Sequence, residues 1–146
     1  MVEIIIGSTL GNAEFIAEEL AALLEENQIP NRLHFDPNLD NLNKQCQWLL
    51  VCSTHGAGEL PENIRPFYQQ LQCLEDKLSD VKFAICAIGD KNYDTFCEAG
   101  KTLEDQLIQA CAKPIVNKIE LDMSADLIVE DQALQWLGNH IDSFKS

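Results

Sequence analysis

Three short segments of the chain combine residues able to hold a ligand. The first, Gly7-Ser8-Thr9-Leu10-Gly11-Asn12-Ala13-Glu14, follows the apolar run Val2-Glu3-Ile4-Ile5-Ile6. Its glycines and short hydroxyl or amide side chains let backbone N–H groups turn toward one point, and a helix starting there aims the positive end of its dipole at the same place. The result is an anion site built without a cationic side chain. It lacks the lysine of a triphosphate loop and the G-x-G-x-x-G spacing of a dinucleotide fold. A mononucleotide phosphate is the ligand that fits, and an ordinary polar strand-to-helix turn is the alternative.

The second segment, Ser53-Thr54-His55-Gly56-Ala57-Gly58-Glu59, offers a backbone that can approach a ligand closely, with the His55 ring beside it. No partner nucleophile or ligand spacing gives His55 a catalytic or metal role. The third, Gly89-Asp90-Lys91-Asn92-Tyr93-Asp94-Thr95-Phe96-Cys97, puts Tyr93 at a loop tip, where its ring could stack on a planar ligand, while Phe96 packs beneath. Each segment alone also reads as a solvated loop. Together they supply a phosphate cradle, two ring faces and a glycine backbone.

Alternating strand and helix patterns position these segments. Glu14 to Asn27 is an amphipathic helix with Phe15, Ile16, Leu20, Leu23 and Leu24 on its apolar face, ended by Pro30. Asn31 to Phe35 reads as a short strand, Trp48 to Cys52 as a buried one, and Pro61 as the opening of a helix to about Cys73. Val81 to Ile88 is another buried strand, followed by a helix to about Cys111, a fifth strand over Ile115 to Leu121 and a last helix over about Glu130 to Ser143. That helix offers Leu134, Trp136, Leu137, Ile141 and Phe144 to the core. Strands this apolar have no wet face, so the expectation is an α/β three-layer sandwich with a five-stranded parallel sheet covered on both sides. With strand order 2-1-3-4-5, the crevice lies at the carboxyl ends of strands 1 and 3, where the three loops meet.

The chain has 146 residues, enough for one domain spanning 1–146 with its own core. It shows neither a membrane-length apolar run nor the signature of a secretory leader, so a cytoplasmic protein is expected. Its six cysteines form no C-x-x-C, and Cys52 and Cys86 lie in strand patterns as small buried hydrophobes. The histidines, His34, His55 and His140, do not cluster with them, and no metal site is expected. A formal net charge of -14 argues against nucleic acid and for a basic protein partner.

The ordered trio resembles the flavodoxin-like proteins of the MioC type, free-standing relatives of the FMN domains of diflavin reductases, over essentially the whole length. Ser8-Thr9-Leu10-Gly11-Asn12-Ala13 matches the FMN phosphate loop, Ser53 to Glu59 the S-T-x-G-x-G-E loop, and Gly89-Asp90-x-x-Tyr93-x-x-Phe96-Cys97 the G-D-x-x-Y-x-x-F-C segment. The resemblance implies non-covalent FMN, with Tyr93 on one isoalloxazine face and the His55-Gly56-Ala57-Gly58 turn over the other. It also brings Asp126 toward the flavin edge. Two departures stand out: Ala13 replaces a common threonine, removing a hydroxyl from the phosphate cradle, and His55 stands where tryptophan is frequent.

The function implied is a low-potential electron shuttle moving one electron at a time. Glycine at 56 lets a peptide rotate toward flavin N5 after the first electron, and nearby carboxylates oppose the anion of full reduction. The donor expected is a separate NAD(P)H-dependent flavin reductase with a basic patch, the acceptor an iron-sulfur or radical enzyme such as biotin synthase. Two other readings remain open from sequence: an FMN-dependent NAD(P)H:quinone reductase, and a flavin-free interaction module on the same fold.

Overall fold

The computed structural model describes residues 1–8, 11–54, 58–90, 92, 97–124 and 128–145. The central strands are β1 (Val2–Gly7), β3 (Gln47–Ser53) and β4 (Lys82–Gly89), flanked on one edge by β2 (Asn31–His34). All pair in parallel in the order β2-β1-β3-β4, with the fifth position beside β4. This is the expected 2-1-3-4-5 arrangement.

The fifth position departs from expectation, because two short strands, β5 (Lys113–Pro114) and β6 (Ile119–Asp122), share it. Phe83 pairs with Pro114 and Cys86 with Ile119, so five residues on the edge span what three span on β4. Two extra residues therefore bulge out, at an edge where Pro114 has no N–H to donate. Lys118, in the interrupted stretch, is tied to Glu104 at 3.0 Å, and that hydrogen bond raises its pKa above the ordinary lysine value.

Alternation along the strands divides the core into two layers. Ile5, Trp48, Leu50, Phe83 and Ile85 face α2 (Arg65–Gln72) and α3 (Glu98–Gln109), while Val2, Ile4, Ile6, Leu49, Val51, Ala84 and Cys86 face α1 (Asn12–Glu26) and α4 (Val129–Asn139). In α1 the seam runs through Ala13, Ile16, Ala17, Leu20, Ala21 and Leu24, and Phe15, expected on the apolar face, is 50 % exposed. Alanines bring this helix close to the sheet and leave no room for a ring.

Two helices are shorter than their sequence patterns imply. The segment after Pro61 forms a 3-10 turn, Glu62–Ile64, before α2, because Pro66 has no N–H to continue an α-helix from Pro61 and is tolerated only in a first turn. The last helix ends at Asn139, and a separate 3-10 turn, Ile141–Phe144, carries Phe144 into the core.

Candidate functional site

Strand register gathers the starts of all three candidate segments at one edge. Gly7 pairs with Cys52, Ser53 with Ile88, and Gly89 with Asp122. Backbone bonds extend the alignment beyond the strands: Thr54 N–H donates to Ile88 O at 3.1 Å, and Met123 N–H to Gly89 O at 2.8 Å. The sheet therefore delivers Ser8, Thr54, Asp90 and Asp122 to the crevice where strand order reverses.

At the first segment, Ser8 uses both of its polar groups inside the protein. Its N–H donates to Asn63 Oδ1 at 2.9 Å, and its Oγ accepts from Gly11 N–H at 3.0 Å. Gly11 occupies the N-cap of α1 at φ 88°, a left-handed conformation suited to glycine, and among the described residues α1 has no side-chain cap. The first amides of α1, at Asn12, Ala13 and Glu14, lack intrahelical partners by helix geometry and point along the dipole. Asn12 is exposed, whereas Ala13 is fully buried in the core. Thr9 and Leu10 lie outside the described residues.

Thr54 ties the second segment to the start of α3, the helix that follows the third, its Oγ1 accepting the Ala99 N–H at 3.3 Å. Ser53 and Gly58 are partly buried, and Gly58 has φ 102°, which a Cβ would strain. Gly89 and Asp90 are partly buried, and Asp90 Oδ1 accepts the N–H of the exposed Asn92 at 2.8 Å. Cys97, by contrast, is wholly buried at φ 54° as the N-cap of α3, its Sγ 4.0 Å from Leu121 O. Burial, with Glu120 and Asp122 nearby, pushes its thiol up to about 12, so it is no thiolate at neutral pH. His55, Gly56, Ala57, Tyr93, Phe96 and Asp126 lie outside the described residues.

Sequence reasoning missed two residues that support this edge. Asn63 fastens the end of β1, and Arg65 donates through Nε to Leu60 O at 2.9 Å while pairing with Glu59 at 3.3 Å, holding the far end of the second segment. His34 is tied to Glu3 near the opposite end of the sheet, at 3.1 Å. Among the described residues, no group of His, Cys, Asp or Glu side chains could hold a metal ion, and no helix is long and apolar enough to cross a membrane. Cys52 and Cys86 are free and buried, as their strand patterns imply, and burial drives both thiols far above the ordinary range.

A glycine-turned, uncapped helix start at the switch point of a parallel sheet defines a mononucleotide-binding α/β protein. Comparison with known proteins makes this specific: the Flavodoxin family model matches residues 4–136, and the chain belongs to that family. It is 42 % identical over 134 residues to a protein named MioC homolog from Pasteurella multocida, covering 92 % of this chain and 91 % of that one. It is also 33 % identical over 141 residues to the sulfite reductase (NADPH) flavoprotein alpha-component of Bacillus subtilis, covering 93 % of this chain but 22 % of that protein. Among solved structures, a cysteine-to-serine mutant of flavodoxin from Pseudomonas aeruginosa superposes with TM-score 0.90 at 27 % identity, covering 99 % of each chain.

FMN is the cofactor of this family, and the described residues fit it. The open left-handed turn at Gly11, where an added Cβ would meet nothing within 4 Å, and the uncapped start of α1 suit a terminal phosphate. Since space is free there, Gly11→Ala tests backbone conformation alone. The substitution is expected to cost about 1 kcal/mol of stability and to weaken FMN binding several-fold, read by flavin fluorescence titration. An unchanged dissociation constant would remove Gly11 from the cradle.

Proposed function

We propose that this flavodoxin-type FMN electron carrier works in the cytoplasm, passing electrons one at a time from a separate NAD(P)H-dependent flavin reductase to an iron-sulfur or radical acceptor enzyme. One observation carries the reading: three described polar side chains at the crevice accept hydrogen bonds from the protein's own backbone, and a thiol there is buried. Ser8 Oγ is bonded to Gly11, Thr54 Oγ1 to Ala99 and Asp90 Oδ1 to Asn92, and the Cys97 thiol is buried. Such groups hold a cofactor and do not themselves exchange protons with a substrate. FMN supplies the redox chemistry when bound, and the residues around it set position and water access.

The excess of 24 acidic over 10 basic residues supports docking to basic patches on the donor and acceptor. A rate effect is expected, steep at low salt and screened as the Debye length falls to about 8 Å at physiological ionic strength.

Anaerobic titration of the FMN-loaded protein tests the assignment. Two separated one-electron steps are expected, with negligible reduction by NADPH until a catalytic amount of flavin reductase is added, and with that rate falling as salt rises. Rapid reduction by NADPH alone would instead support the quinone-reductase reading. A single two-electron step would remove the one-electron shuttle.

A further inference from the structure

We propose that Asn63 is the positioning residue for the phosphate end of the FMN site, and that it couples this end to the second ligand loop. The inference rests on the FMN reading above and adds a residue outside all three candidate segments.

A single amide satisfies three backbone groups from two strand ends. Asn63 Oδ1 accepts the Ser8 N–H at 2.9 Å, while Nδ2 donates to Ile6 O at 2.7 Å and Phe35 O at 2.9 Å. The orientation of the amide is dictated by its partners, since one is an N–H and two are carbonyls. β1 thus leaves the sheet clamped at residues 6 and 8, and the end of β2 is fixed beside it. With Ser8 N–H bound to Asn63 and Gly11 N–H to Ser8 Oγ, the described backbone donors left for a phosphate at this loop are the first amides of α1. Asn63 fixes the start of the loop that leads to them.

The same side chain belongs to the turn Glu62–Ile64, which follows directly on the Gly58-Glu59-Leu60-Pro61 end of the second loop. Arg65, on the next turn, holds Leu60 O and Glu59. Displacement of this turn therefore moves the anchor of the phosphate loop. Ile64 seals the junction: a Cβ on Gly7 would lie 3.0 Å from Ile64 Cγ2, so β1 and the turn are already in close contact. Two loops that touch different parts of one ligand share a support.

A positioning role predicts a phosphate-specific loss, which general destabilisation does not. Dissociation constants of FMN and riboflavin are measured for the wild type, Asn63→Leu and Asn63→Asp. Asn63→Leu keeps the volume and removes all three bonds, and is expected to weaken FMN about 10- to 100-fold while changing riboflavin less than about 3-fold. Asn63→Asp keeps the acceptor for Ser8 but sets a carboxylate against two carbonyls. It is expected to lose the preference for FMN at pH 8 and to regain much of it near pH 5, relative to the wild type at each pH, as the carboxyl takes a proton and donates again. Asn63→Asp carries the test if Asn63→Leu does not fold.

Variants that keep the wild-type ratio of FMN to riboflavin affinity, or lose both ligands in parallel, would overturn the role of Asn63 and leave the cofactor reading intact. A wild type that ignores saturating FMN would overturn the cofactor reading itself.

Discussion

Glu3→Gln is expected to lower the unfolding free energy at pH 7 by about 2–4 kcal/mol, seen as an earlier urea midpoint at unchanged slope. Glu3 lies inside β1 with no exposed surface, the one buried charged residue among those described. Its Oε1 accepts from Arg32 Nε at 2.8 Å and lies 3.1 Å from His34 Nε2; its Oε2 takes a second Arg32 bond and the Asn43 N–H at 2.8 Å. Glutamine preserves the volume but turns an NH2 toward donors and leaves the guanidinium without its counter-charge. Arg32 is half exposed and recovers some hydration, which keeps the loss below that of a sealed ion pair.

The pH dependence of that difference tests its electrostatic origin. Burial opposes ionisation of Glu3, but the bonds from Arg32, the Asn43 N–H and His34 outweigh it, holding the carboxyl below its ordinary value. The unfolded chain therefore binds this proton more readily. The stability that Glu3 adds is complete above its unfolded pKa, about 4.3, and is lost as pH falls through the lower folded value. The gap between wild type and Glu3→Gln should begin to narrow as the pH drops below about 4.3 and close as it falls through the lower folded value. A gap that does not narrow at all as the pH falls below about 4 would mean that shape, not charge, sets the cost. FMN affinity at pH 7 should change little, because Glu3 lies about 13 Å down the strand from Gly7.

Glu3 also shows what a sequence of this kind discloses. The flanking isoleucines mark β1 as buried on both faces, and that signal, repeated at Trp48–Cys52 and Val81–Ile88, was enough to read a parallel sheet, while its strand order came from the flavodoxin-like pattern. A charge within such a run identifies no partner, because Arg32 and Asn43 are 29 and 40 residues away. Asn63 was equally opaque, its three partners standing 55, 57 and 28 residues off. The ligand loops were legible because glycine and short polar residues cluster at strand ends, a local signal. The bulge in the fifth position was not, since it depends on pairing with β4, and the break before Pro66 does not show in a pattern that reads as one helix from Pro61 to Cys73, although its physical cause is the missing N–H of Pro66. Cys97 matched a ligand-loop motif by sequence, yet its thiol is packed inward, because a motif does not state which way a side chain points.

Gly7→Ala carries the second large effect and joins stability to ligand binding. A Cβ there would lie 2.7 Å from Cys52 Sγ and 3.0 Å from Ile64 Cγ2, and both neighbours are wholly buried. Strand conformation itself accepts alanine, so the cost is overpacking, expected at about 2–3 kcal/mol. Relief requires Cys52 Sγ to shift and the Glu62–Ile64 turn to give by a few tenths of an ångström, which strains the Asn63 bonds to Ile6 and Ser8 and should weaken FMN about 10-fold. Cys52→Ala removes the nearer of the two clashing atoms and by itself should cost about 1 kcal/mol as a small cavity. In the double variant the new methyl occupies part of that space, so the combined loss should fall below the sum of the single losses by at least about 1 kcal/mol, with FMN affinity recovered to within about 3-fold. Additivity within about 0.5 kcal/mol would show that Cys52 Sγ yields to the new methyl without strain.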